Sequence, residues 1–99
     1  MSRPDPESFQ RAVFWLAAER DMYQTEKFDY KVEGQRPTED WIPRFDNYIY
    51  RVKAFPDGTP QELQAALKLA ATVVAFCEHR ISQGVPVPEP GYPSGEIKT

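Results

Sequence analysis

The sequence predicts an all-α fold: a three-helix antiparallel bundle with an extended Pro-rich C-terminal tail, oligomerising through its helices. Three observations predict it. Apolar residues recur at helical spacing in three segments. Capping residues, glycines and prolines bound those segments. Four of the ten prolines then crowd into residues 85–99, where no helix can continue.

The first helix is expected over residues 6–28. Asp5 is a good N-cap and Pro6 suits the first helical position. Phe9, Val13 and Leu16 recur on one stripe, with Tyr23 further along it, and Trp15, Ala18 and Met22 form a second. The polar segment 29–38, with Gly34 and Pro37, reads as a loop.

The second helix is expected over residues 40–55. Pro43 favours Asp40 over Thr38 as N-cap, because a proline is harmless only among the first four helical positions. Trp41, Phe45, Tyr48 or Ile49, and Val52 make its buried stripe. Phe55-Pro56 closes it, and Asp57-Gly58 signals a turn.

The third helix is expected over residues 60–83. Thr59-Pro60-Gln61-Glu62 combines an N-cap, a first-position proline and a capping-box glutamate, and Gly84 ends the helix. Leu63, Leu67, Ala70, Val74, Cys77 and Ile81 form one apolar stripe; Leu69, Val73 and Phe76 form another. Two neighbouring helices cover one stripe well, so Leu69, Val73 and Phe76 are the candidate interface with another subunit. The organisation is thus a helical domain over 1–84 and a tail over 85–99.

Ninety-nine residues make one domain, which buries only about 60% of its unfolded surface. Such a chain needs a staple or a partner. A single cysteine excludes an intrachain disulfide, and with the single histidine it cannot complete a structural zinc site. A homo-oligomer, dimer or tetramer, is therefore expected. Cys77 sits in an apolar run and reads as a small core hydrophobe in a reducing compartment. The N-terminus shows no apolar signal segment, and the apolar run from Leu69 to Cys77 is too short for a membrane span. A cytoplasmic protein is expected, with no membrane partner. The net charge of −3 argues against a nucleic-acid coat. The aromatic content of 13% either fills a thin core or supplies surfaces that stack on a base or line an interface.

No catalytic constellation is complete. His79, near a helix C-terminus, reads as a solvated residue favoured by the helix dipole. Asp46 and Glu62 stand alone on their helices, where a two-metal site needs converging carboxylates. Neither a metal nor a cofactor is expected. The candidate ligand-binding residues are Arg44, Tyr48, Tyr50 and Arg51 on the second helix and Lys68 on the third. Arg44 and Arg51 lie two turns apart with Tyr48 between them. If the helices pack antiparallel across the short turn, Arg51 and Lys68 stand within roughly one helical turn of the same height.

The order of Ala18-Glu19-Arg20 to Gln24-Thr25-Glu26-Lys27-Phe28, then Glu39-Asp40-Trp41-Ile42, then Leu67 to Glu78, resembles the small MazG-like members of the all-α nucleoside triphosphate pyrophosphohydrolases, common in bacteria and phages. The resemblance spans roughly residues 12–80 and implies paired helices that dimerise or tetramerise. The family's magnesium-binding E-E-x-x-E and E-x-x-D motifs are departed from. Asp46-Asn47-Tyr48-Ile49-Tyr50-Arg51 stands in place of the first, and Gln64-Ala65-Ala66-Leu67-Lys68 in place of the second. Cations in place of carboxylates can hold phosphates directly, through charge-assisted hydrogen bonds of about 1.5–3 kcal/mol each. The expected function is a non-catalytic oligomer that binds or sequesters a nucleotide or cyclic oligonucleotide. A protein-interaction module and a pyrophosphohydrolase with a rearranged site are the alternatives.

Overall fold

The computed structural model of the chain describes residues 5–26 and 37–91, without the side chains of 23–26. The described residues form three helices: α1 (Pro6–Glu26), α2 (Thr38–Ala54) and α3 (Pro60–Ser82). They are a three-helix bundle in which α3 is the shared element. α2 packs along one flank of α3 and α1 along another, while α1 and α2 barely touch among the described residues. α2 and α3 are antiparallel. Thr38 meets Arg80 at one end, and Trp41 and Phe45 meet Phe76 further along.

Local chemistry sets the helix ends. At α1 the Asp5 carboxylate accepts from the Ser8 backbone N–H at 2.6 Å and from its hydroxyl at 2.8 Å. These hydrogen bonds, the backbone one first, hold the Asp5 carboxyl below its ordinary value. A depressed folded-state pKa means the cap stabilises fully above the unfolded value and is lost as pH falls through the folded one. The stability difference between the wild type and Asp5→Ala should therefore be present at pH 7 and vanish near pH 2, as read by denaturant titrations at both.

α2 begins at Thr38 and not after an Asp40 cap. The Asp40 N–H donates to the Pro37 carbonyl at 3.0 Å, so a tight first turn starts the helix two residues earlier. Pro43 then lies inside α2 and leaves the Glu39 carbonyl without its helical donor. Both residues are exposed, so water can satisfy that oxygen. The chain leaves α2 through an extended Phe55 ahead of Pro56. Gly58, at φ 78°, makes the turn into α3.

α3 has its expected cap. The Glu62 N–H donates to the Thr59 hydroxyl oxygen at 3.2 Å, and the Glu62 carboxylate reaches back to the Gly58 N–H at 2.9 Å. At the other end Val85 N–H donates to Arg80 carbonyl and Gly84 N–H to Ile81 carbonyl, with Gly84 at φ 95°. This is a complete Schellman closure. Residues 85–91 are exposed and carry no regular secondary structure. The expected end of the first helix at residue 28, most of the loop after it, Tyr23 as a stripe residue and the tail beyond Gly91 lie outside the described residues or side chains.

The core differs from the expected stripes. α3 buries Ala65, Ala71, Thr72, Ala75 and His79, mostly small side chains that let two helices approach closely. Buried Thr72 satisfies its hydroxyl by donating to the Lys68 carbonyl at 2.9 Å. This rotation turns Leu63, Cys77 and Ile81 outward, so Cys77 is an exposed thiol and not a core residue. His79 is also the reverse of the expectation. It is 4% exposed, because Trp41 of α2 lies over its ring with centroids 5.6 Å apart. Tyr48, and not Ile49, takes the inner position on α2. On α1 only Leu16 of the expected stripe is partly covered; Phe9 and Val13 stay exposed.

Candidate functional site

Trp41 anchors the contact between α2 and α3. It packs edge-on against Phe76 at 5.7 Å, while Phe45 meets Phe76 at 5.9 Å. Two guanidinium groups close this aromatic cluster. Arg44 sits 5.0 Å from the Trp41 ring centre and Arg80 4.8 Å from that of Phe76. Phe76 therefore faces α2 within the chain. Of the expected interface stripe, Val73 alone is exposed, and Leu69 is half-buried. The three residues do not share one free face.

The candidate anion-binding residues are only partly brought together. Arg44 is drawn back to Trp41, and Arg51 lies 5.4 Å from the Tyr48 ring centre. Tyr50 is exposed and Lys68 is half-buried. Extended along both helices, the register that opposes Thr38 to Arg80 and Trp41 to Phe76 puts Arg51 near the level of Lys68, and no contact joins the two among the described residues. Among the described residues neither has a carboxylate partner. Neither of the two described grooves, however, is lined by Arg44, Tyr48, Tyr50, Arg51 or Lys68.

Those grooves lie elsewhere, between α1 and the first half of α3. One, of about 330 Å³, is walled by Ser8, Arg11, Ala12 and Trp15 against Leu63 and Leu67. The other, of about 530 Å³, shares Trp15, Leu63 and Leu67 and continues past Glu19 to Pro60. Trp15 is the ridge they share, and it stacks edge-on with Phe14 at 5.1 Å. Both rings are more than half exposed, as are Met22 and Leu63. The second stripe of α1, through Trp15 and Met22, is the sequence signal for this surface.

The sequence reading missed Arg20. It is 6% exposed, and its Nε donates to the Glu78 carboxylate across the α1–α3 contact. Arg20 continues the Phe9, Val13 and Leu16 stripe, so a cation on an apolar stripe was the available signal.

The chemistry on offer is limited. Glu62 is held in its cap and Asp46 is exposed on α2. Among the described residues no three His, Cys, Asp or Glu side chains gather where a metal ion would sit, and no helix is long and apolar enough to cross a membrane. Compared with known proteins, the chain matches no family model, no curated protein and no solved structure.

Proposed function

We propose that the chain is a protein-interaction module that works as a homo-oligomer through apolar surface its own fold leaves open. The observation that carries this reading is the imbalance between core and surface. Among the described residues the fully buried apolar ones are Trp41 and three alanines, while Phe9, Val13, Phe14, Trp15, Met22, Leu63 and Val73 are all at least 40% exposed. So small a core among the described residues leaves much apolar surface open, and exposed apolar surface of this kind marks an interaction site. Sedimentation equilibrium across micromolar concentrations tests it. The expected mass is a multiple of 11.4 kDa that falls on dilution. A mass of 11.4 kDa at every concentration would remove the homo-oligomer.

A second reading, a nucleotide-binding oligomer without hydrolytic activity, is favoured by one observation. Arg51 and Lys68 stand at one level with no carboxylate partner among the described residues. In such a site they hold phosphates while Tyr50 stacks on a base, and the chain sequesters the nucleotide. The same cations in place of the acidic motifs are what the MazG-like resemblance leaves for this role. Calorimetric titration with nucleoside triphosphates and cyclic dinucleotides, with and without magnesium, decides it. Micromolar binding that needs no magnesium and weakens at least tenfold in Arg51→Gln and Lys68→Gln is the expected result. Absence of binding removes this reading. Pyrophosphate release abolished by changing Asp46 or Glu62 would replace it with the pyrophosphohydrolase alternative.

A further inference from the structure

The two grooves between α1 and α3 run together from Ser8 to Glu19, with Trp15 as their shared ridge. At 1.5 Å per residue that stretch of α1 is about 16 Å long. The chain carries an exposed segment of matching length. Val85-Pro86-Val87-Pro88-Glu89-Pro90 follows α3, and Val85 and Val87 are 49% and 65% exposed. Prolines at alternate positions favour polyproline II, whose rise of about 3.1 Å per residue lets these residues span about 16 Å as well. Such segments dock in aromatic-lined grooves because their conformation is set before binding and little entropy is lost. Here Trp15 supplies the ring, and Leu63 and Leu67 the apolar wall opposite.

Charge sets the direction. Glu89 is the only charge in the segment. Arg11 stands towards one end of the grooves and Glu19 at the other, and neither makes an ion pair among the described residues. Arg11 also acts on Asp5, but as the weakest of the influences that hold that carboxyl down. Glu89 beside Arg11 puts Val85 level with Glu19, since four residues of polyproline II and eight of α-helix both cover about 12 Å. The opposite direction sets Glu89 against Glu19. Reach then decides which copy supplies the segment. Leu67, the groove residue furthest along α3, stands about 22 Å along the helix from Ser82. Val85 reaches about 11 Å from Ser82 at most, so a chain cannot seat it in its own groove.

We propose that residues 85–90 of a second copy lie along the α1–α3 groove, with the partner subunit's Glu89 beside Arg11, and that the exchange is reciprocal. A two-fold axis then fills both grooves with both segments. This rests on the homo-oligomer reading and adds the site and its occupant.

The test combines sedimentation equilibrium with diamide oxidation and non-reducing electrophoresis of full-length chains. Arg11→Cys and Glu89→Cys, each also carrying Cys77→Ser, should give a covalent dimer when mixed and oxidised. Glu19→Cys mixed with Glu89→Cys in the same background should give several-fold less. Trp15→Ala should weaken self-association at least tenfold with its helical circular dichroism retained. If that variant misfolds, Glu89→Arg should weaken association about threefold and its combination with Arg11→Glu should restore it. A wild-type oligomer that the Arg11 and Glu89 positions fail to cross-link would overturn the strap, give the groove another occupant and leave the homo-oligomer intact. Stronger cross-linking from the Glu19 position would overturn the proposed seating. An intrachain disulfide in one chain carrying both Arg11→Cys and Glu89→Cys, at a concentration where it is monomeric, would overturn the exchange. A wild type that is monomeric at every concentration would overturn both the strap and the homo-oligomer.

Discussion

Trp41→Ala should destabilise the chain by about 3–5 kcal/mol, the range for deleting a large buried aromatic. Trp41 is 1% exposed and touches Phe45, Phe76 and His79, so its removal opens a void among their rings between α2 and α3. Total stabilities of about 5–15 kcal/mol are usual, and a chain as short as this belongs at the low end. The variant should be largely unfolded at 37 °C, with its loss of helicity read by far-ultraviolet circular dichroism. Trp41→Phe should cost less than half as much. It keeps most of the ring and removes the indole Nε1, which is buried with no hydrogen-bond partner among the described residues. Equal losses in the two variants would show that the void is not the source of the cost. Phe76→Ala should behave like Trp41→Ala in direction, since Phe76 fills the other side of the same cluster.

The helices and their ends were legible in the sequence because they rest on local chemistry. Thr59, Pro60 and Glu62 act within one turn of each other, and Gly84 supplies a backbone angle that other residues avoid. The start of α2 was misplaced because the Pro37 carbonyl, and not a side chain, closes its first turn. The inward face of α3 was not legible. Both stripes read from hydrophobicity ranked leucine, valine and phenylalanine above alanine and threonine. The inner face was settled instead by how closely α1 and α2 approach, which favours Ala71, Thr72 and Ala75. Once those positions point inward, the outward turn of Cys77 follows from helix geometry alone. His79 was misread for a related reason: its place near the helix end predicts solvation, but Trp41 arrives from thirty-eight positions away in the chain. The engagement of Arg44 with Trp41 and of Arg51 with Tyr48 was not legible, since an arginine can reach back one turn or forward one turn with equal ease.

Glu78→Ala should cost more than Arg20→Met, although the two substitutions break the same ion pair. The reason is where the charge is left. Arg20 has a side chain 7% exposed, whereas that of Glu78 is 45% exposed. Removing Glu78 strands a guanidinium between α1 and α3, away from water. Removing Arg20 leaves a carboxylate that solvent already reaches. A hydrogen bond to a charged group contributes about 1.5–3 kcal/mol, and the exposure of Glu78 reduces this to about 1–2 kcal/mol for Glu78→Ala. Arg20→Met keeps an unbranched stem against the α3 surface and introduces no buried charge, so its cost should fall below about 1 kcal/mol. Urea titrations of both single variants and the double variant measure the difference. The double variant should lie close to Arg20→Met, because Glu78 contributes little once Arg20 is gone. Raising salt from 0.05 to 0.5 M should leave the ordering unchanged, since screening acts weakly on the buried partner, whereas a surface pair would lose most of its small contribution. If Arg20→Met proves the more damaging change, Arg20 acts mainly through its packing, and its charge is incidental to how α1 docks.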